Sequence, residues 1–429
     1  MASSYVEVFR SRRLAVILAL GFSSGLPLAL TGGTLQAWMT VEGVDLSTIG
    51  AFTLVGIPYI WKFLWAPAMD RFVPPFLGRR RGWLVLTQLA LVLGIAAMAF
   101  QSPRADLALV AWLALIVAFA SASQDIVVDA YRTDVVTREQ RGIAGAIGVA
   151  GYRVATLVSG ALALVLVGGS GAIPALGWRN TYLIMAALMA VGVIAAFWGE
   201  EPSTAPAAPR TLREAVVEPF REFFSRPGAI AFLVLLVLYK LGDAFAESLT
   251  TAFLLRGAGF SLDDVGWVNK AIGVAATIAG ALLGGAVMVK LGLYRALLAF
   301  GILQGVAILS FMWLALAGKS YPIMVLAVGL EKGTAGMGTA ALVALLMALC
   351  DHRFTATQYA LLSALASIGR VFVGPVAGYA TDPKYLGLSW PMFFFSAFVL
   401  AIPGLMFVRL LREEIERAEA VTSEPHPPR

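Results

Sequence analysis

Asp125 and Asp129 stand four residues apart, and Arg132 follows three residues later. A helix stacks the two carboxylates and the guanidinium on one face. Upstream, Leu107 to Ala120 is apolar without a break, which puts the carboxylates inside a membrane or at its inner edge. Ionisable groups are expensive there and normally face protein or water along a pathway. The competing reading is a helix end whose acids cap nearby basic loops. A second cluster, Lys240, Asp243 and Glu247, has spacings of three and four in the middle of an apolar stretch. A cation beside two acids suits a proton carrier, and the alternative is a self-contained ion pair that neutralises a polar stripe.

Other charges interrupt apolar runs at Lys62, Arg153, Lys270, Glu331, Lys332 and Arg370. The cations Lys62, Arg153, Lys240, Lys270 and Arg370 suit an anionic ligand, either gripping its carboxylates or forming salt bridges that close one side. Gln36, Gln124, Tyr152 and Asn269 offer uncharged hydrogen bonds. Trp61, Trp65, Trp267 and Tyr239 could stack on a flat ligand face, whereas Trp38, Trp83, Trp178 and Trp390 lie near segment ends and read as interface anchors. Glu331 and Lys332 are adjacent, so they point about 100° apart and are not expected to face one partner.

The elements that must position these groups follow from composition. Of 429 residues, 59% are hydrophobic and 14% charged, and the mean hydropathy is +0.82. This is the balance of a polytopic membrane protein rather than a soluble domain. The net charge of +6 lies in short clusters between apolar runs, which argues for topology signals and against a nucleic-acid partner. One cysteine, Cys350, excludes an internal disulfide. Two histidines, His352 and His426, leave no ligand cluster, so neither a metal nor a cofactor is expected, and no catalytic set is visible. Gly318-Lys319-Ser320 resembles the end of a phosphate loop, but Trp313 stands where its first glycine belongs, so ATP drive is not encoded.

Windows of roughly 20 residues predict helices at Leu14–Met39, Leu46–Met69, Trp83–Phe100, Leu107–Tyr131, Gly142–Val167 and Thr181–Trp198. Six more follow at Ala229–Leu255, Asp264–Val289, Tyr294–Ala317, Pro322–Leu349, Thr355–Ala380 and Leu388–Leu411. Residues 1–199 then form one six-helix half and 229–411 the other. Residues 200–228 form a basic, proline-containing linker with a short surface helix, and 412–429 a tail. Basic loops alternate with poor ones: Arg10, Arg12 and Arg13, Arg71 to Arg81, Arg132 to Arg141, the linker arginines and Arg409 to Arg417 fall on one side. By the positive-inside rule that side, with both termini, is cytoplasmic. Gly43-Val-Asp-Leu-Ser-Thr-Ile-Gly50 before the second helix matches Gly259-Phe-Ser-Leu-Asp-Asp-Val-Gly266 before the eighth, the mark of a tandem repeat.

These features together resemble the major facilitator superfamily. Within it, GFSSGLPLALTGGTLQAWM in the first helix, GIPYIWKFLWAPAMDR in the second, GRRRGW after it and ASASQDIVVDAYRTD in the fourth are similar to the AmpG-type muropeptide permeases. The resemblance implies an all-α integral membrane protein with 12 transmembrane helices in two six-helix halves. In that fold, helices one, four, seven and ten line a central cavity, and three, six, nine and twelve, here charged at most near one end at Arg295 and Arg409, face lipid. It also implies import of N-acetylglucosamine-anhydro-N-acetylmuramyl peptides across the bacterial inner membrane, driven by protons, with no enzyme activity. Asp125, Asp129, Asp243 and Glu247 are the expected proton-coupling residues. Asp70, Arg71, Arg132 and Arg141 are the expected gates, and the chain is expected to act as a monomer. Two departures stand out: some members run longer at the carboxyl end, whose role is then expected to be absent here. The superfamily's loop after helix two, Asp70-Arg71 to Gly82, also has a counterpart at Val289-Lys290-Leu291-Gly292 that has lost its acid, so asymmetric gating contacts are expected. A same-fold transporter of another anionic metabolite, such as an acyl-coenzyme A, is the runner-up. A membrane-embedded transferase ranks last for want of a catalytic motif.

Overall fold

The computed structural model describes residues 11–136, 141–171, 173–202, 221, 224–225, 228–349 and 355–423. The expected linker helix with Arg210, Arg213 and Arg226 lies outside these, as do Arg10, Arg138, Cys350, His352, Arg353 and His426. Among the described residues the regular structure is helical. Among the described residues ten helices are long and apolar enough to cross a membrane: α1 Arg12–Val41, α2 Leu46–Leu64, α3 Arg79–Ala99, α4 Leu107–Val135, α5 Ile147–Gly168, α6 Gly177–Trp198, α7 Ala229–Gly257, α8 Leu262–Leu291, α9 Leu293–Ala317 and, after two more, α12 Trp390–Leu410. The two are α10 Tyr321–Ala348 and α11 Thr355–Thr381, of 28 and 27 residues. Each is roughly 40 Å long, against a hydrocarbon thickness of about 30 Å. A short amphipathic α13, Arg412–Ser423, ends the described chain.

The helices sort into two compact units. The first comprises Met1–Val44, Val55–Ala208 and Ser261–Lys270; the second comprises Asp45–Leu54, Pro209–Phe260 and Ala271–Arg429. The unit boundaries thus cut through α2 and α8, whose first turns belong to a different unit from the rest of each helix. In the first unit, Gly21 on α1 meets Gly148 on α5, where an added Cβ would strike backbone. Thr34 Oγ1 donates to the Ser159 carbonyl across the same pair at 2.6 Å. In the second unit, α8 and α10 approach as closely at Gly280 and Gly336. The start of α2 lies on α11, with Thr53 Oγ1 donating to the Val371 carbonyl at 2.7 Å. Hydrocarbon gives apolar side chains no reason to leave lipid for one another, so small residues and short polar bonds carry such crossings.

Local chemistry repeats between the halves of the sequence. Gly43 and Gly259 take φ +82° and +73°, a conformation that favours glycine. Two residues later Asp45 and Ser261 cap the following helices, accepting from the backbone N–H of Thr48 and Asp264. Burial works against the Asp45 charge, but hydrogen bonds from Ser47 and Thr48 outweigh it and hold the carboxyl down at about 2. The starts of α3 and α9 repeat too. Gly78 and Gly292 have φ +84° and +75°, and a glutamate from beyond the sixth or twelfth helix accepts the free N–H groups that follow. Glu201 takes those of Arg80 and Arg81 at 2.8 and 2.9 Å, and Glu419 that of Leu293 at 2.9 Å. The second loop lacks an acid in its own sequence, and α13 supplies one to its helix start. The Gly43 and Gly259 octapeptides are therefore a repeat of structure as well as of letters.

Candidate functional site

In the first unit, α1, α4 and α5 enclose a cavity of about 150 Å³ lined by Ser24, Asp125, Asp129, Arg132, Gly148 and Tyr152, among others. Helical spacing brings Asp125, Asp129 and Arg132 to one side, as the sequence predicts. Asp125 is mostly buried; Ser24 Oγ donates to it, and Lys62 Nζ on α2 lies 4.0 Å away. Lys62 opens a 3₁₀ turn, Lys62–Leu64, that closes α2, where the tighter winding re-aims side chains. Asp129 is more open and accepts from Arg132 at 2.9 Å. The arrangement offers one shielded carboxylate with a cation at the edge of ion-pair range, and one exposed carboxylate already neutralised by its neighbour. Lys270 joins this unit from the π-helical stretch Val265–Ile272, its ammonium against Gly33 at the break in α1. Asn269 beside it is buried, with Oδ1 lacking a donor among the described residues. Arg153 is exposed and makes no ion pair among the described residues.

The second unit carries a larger network. The α7 helix is interrupted at Lys240, with φ −103° and ψ 2°. Lys240 Nζ donates to Asp243 at 3.4 Å, to Gln304 Oε1 on α9 at 3.5 Å and to the Ala335 carbonyl on α10 at 3.4 Å. From α10, Lys332 Nζ donates to Glu247 at 2.8 Å and lies 3.4 Å from Glu331. The Glu331 carboxyl lies within hydrogen-bonding reach of that of Asp243. Tyr239, Asp243 and Gln304 also border a cavity of about 10 Å³, room for about one water molecule. Glu331 and Lys332 therefore both turn to α7, against the expectation from their adjacency. The backbone directions do diverge by about 100°, but the long flexible chains bend back to acids one helical turn apart. Arg370 on α11 is exposed.

The model of the Major Facilitator Superfamily matches residues 17–372. The anhydromuropeptide permease of Escherichia coli strain K12 is 53% identical over 416 residues, which cover 97% of this chain and 83% of that protein. The chain belongs to the Major Facilitator Superfamily, among its AmpG-type permeases. A putative transporter AmpG 4 of Rickettsia felis is 32% identical, covering 95% of this chain and 99% of that one. The fold is also that of solved transporters. An inward-facing bacterial homologue of the human lysosomal transporter Spinster aligns with a TM-score of 0.71 at 17% identity, covering 97% and 98% of the two chains. A D-xylose–proton symporter aligns at 0.68 and 12% identity, covering 94% and 97%.

This permease is thus a transporter embedded in a membrane and not an enzyme. Several of its polar side chains serve packing within the units. Gln124 is fully buried and, with Gln88 from α3, donates to Ser23 Oγ on α1. Trp65 Nε1 donates to Ser123 at 3.0 Å, and Tyr239 hydroxyl to the Leu297 carbonyl at 3.0 Å, whereas Trp61 and Trp267 stay exposed. Trp38, expected at a membrane interface, is 3% exposed and stacks on Trp178 with centroids 5.4 Å apart. Gln36 and Tyr152 are half-buried. The side chains of Asp70 and Arg141 lie outside the described residues. Asp134 and Glu201 were missed from sequence. Asp134 bonds Arg80 at 2.8 Å, both buried, and Glu201 caps α3; the acids at the ends of α4 and α6, opposite GRRRGW, were the available signal.

Proposed function

We propose that this permease imports anhydromuropeptides, N-acetylglucosamine linked to an anhydro-N-acetylmuramyl peptide, from periplasm to cytoplasm for cell-wall recycling. It works by alternating access as a single chain coupled to protons. The observation that carries the substrate is the 53% identity, over 97% of this chain, to an anhydromuropeptide permease. Support for proton coupling comes from the sorting of charge: each unit holds a shielded carboxylate beside a lysine at a helix irregularity, Asp125 with Lys62 and Asp243 with Lys240. Asp129 and Glu247 are the outer members of each cluster. Arg153, Lys270 and Arg370 supply cations for the peptide carboxylates, with Gln36, Tyr152 and Asn269 for sugar and amide groups. Arg132, with Asp70, Arg71 and Arg141, belongs to the gates. The two halves, residues 1–199 and 229–411, are joined by a cytoplasmic linker at 200–228, and both termini are cytoplasmic.

Uptake into vesicles tests the substrate. Labelled anhydromuropeptide should accumulate under an imposed pH gradient, and coenzyme A thioesters should neither accumulate nor compete; the opposite result would replace the substrate class. Arg153→Ala should abolish uptake with expression intact, and Arg153→Lys should restore only part of it, because a bidentate carboxylate grip is lost. Near-normal uptake by the alanine variant would remove Arg153 from the binding set. Orientation is checked separately with reporter fusions: those after Arg80 and at the carboxyl end should signal cytoplasm, and one near Lys319 periplasm. A cytoplasmic signal at Lys319 would overturn the alternation.

A further inference from the structure

The charge network of the second unit contains an acid that the coupling set above omits. Glu331 is 3% exposed, the most buried carboxylate of the network. Asp243 and Glu247 from α7 and Lys332 from α10 itself face it, and Lys240 from α7 and the neutral Gln304 from α9 join the same network through Asp243. Among the described residues α8 and α9 bring no charge to it: Lys270 of α8 belongs to the first unit, against Gly33, and their other ionisable residues sit near the helix ends. Three carboxyls thus share two ammoniums, leaving one negative charge in excess if all were ionised. Burial makes such an excess expensive. Geometry points the same way. Asp243 Oδ1 and Glu331 Oε2 are buried and receive no hydrogen bond from the described residues, and the two carboxyls lie within hydrogen-bonding reach of one another. A carboxylate only accepts, so two ionised carboxyls at that range leave both oxygens without a donor, and one proton between them supplies it.

We propose that Asp243 and Glu331 share one proton and that this pair, with Glu331 as its buried member, is where the second unit holds the transported proton. The proposal rests on the proton-coupled reading of the function. With the proton in place the network is neutral, and every lysine has a carboxylate to face. Release leaves both carboxyls ionised and breaks only the hydrogen bond between them. The proton has a short exit: Lys332 bridges Glu331 to Glu247, whose side chain is 52% exposed, and from there it passes to water. Glu247 is then the relay and the Asp243–Glu331 pair the store.

Infrared difference spectroscopy on the purified permease, comparing wild type with D243N and E331Q at neutral pH, reads the proton directly. Removing either acid leaves two carboxylates for two lysines, so the expected result is that both single variants lose the same protonated-carboxyl band. A band that survives in either variant overturns the shared proton. In liposomes, E331Q should lose accumulation of labelled anhydromuropeptide against its gradient by about tenfold or more, the equivalent of at least about 1.4 kcal/mol, while exchange with preloaded substrate persists. Wild-type accumulation under the same pH gradient by E331Q overturns its coupling role. If wild type itself ignores the gradient although the band behaves as expected, the failure is that of proton-driven function and not of the shared proton. Should E331Q not reach the membrane, D243N and the wild-type band titrated against pH decide the matter: no protonated carboxyl lost with D243N would overturn it.

Discussion

Asp125→Asn is expected to lose gradient-driven accumulation of anhydromuropeptide by about tenfold or more, which corresponds to roughly 1.4 kcal/mol or more of lost driving interaction, while exchange across preloaded vesicles continues. The side chain keeps its size, and Ser24 still has an oxygen to donate to. What disappears is the site that can gain and release a proton, together with the counter-charge of Lys62 at 4.0 Å. A group that couples must be protonated facing one side and ionised facing the other. An amide cannot do this, and so a carrier locked in one charge state can still shuttle substrate down its own gradient. Asp129→Asn is expected to behave differently. Its carboxylate is exposed and already bonded to Arg132, so losing it should impair both modes, as a gate or binding group would. Undiminished accumulation by Asp125→Asn would end its coupling role, and equal loss of both modes would make it a binding or gating residue instead.

Asp134→Ala is expected to destabilise the permease by about 3–5 kcal/mol, because it removes the carboxylate ion-paired with a buried guanidinium. Arg80 and Asp134 side chains are only 10% and 6% exposed, and their ion pair is 2.8 Å long. Glu201 is bonded to the backbone at the start of α3, and neighbouring Arg81 is bound to the carbonyls of Ala196 and Phe197. Thermal unfolding in detergent should show the loss as a lowered midpoint, and membrane yield should fall with it. The control is a double variant, Arg80→Met with Asp134→Leu, which removes both charges and fills the space. It should recover much of the stability, since a buried pair is often replaceable by packed apolar groups. A single variant as stable as wild type would show that Arg80 reaches water when Asp134 is lost.

Much of this permease is written in one dimension. Long apolar runs prescribe helices of spanning length, because lipid offers their backbone groups no partner outside the helix, and no distant contact is needed to see it. Helical periodicity likewise put Asp125, Asp129 and Arg132 on one side, and Lys240, Asp243 and Glu247 on another, before any packing was known. The octapeptides at Gly43 and Gly259 showed the repeat for the same reason, since the turn and cap chemistry they share is local. Tertiary structure decided what distant residues share. Asp243 and Glu331 are separated by 88 positions, and their meeting depends on how α7 lies against α10. The arginines of GRRRGW look like topology signals in sequence, and only the fold brings Asp134 and Glu201 to them. Gln124 and Trp38 have the chemistry of ligands or interface anchors, and packing withdrew both into the first unit. Side-chain type sets what a group can bond, whereas helix crossings, set by contacts as fine as Gly21 on Gly148, determine which partner reaches it.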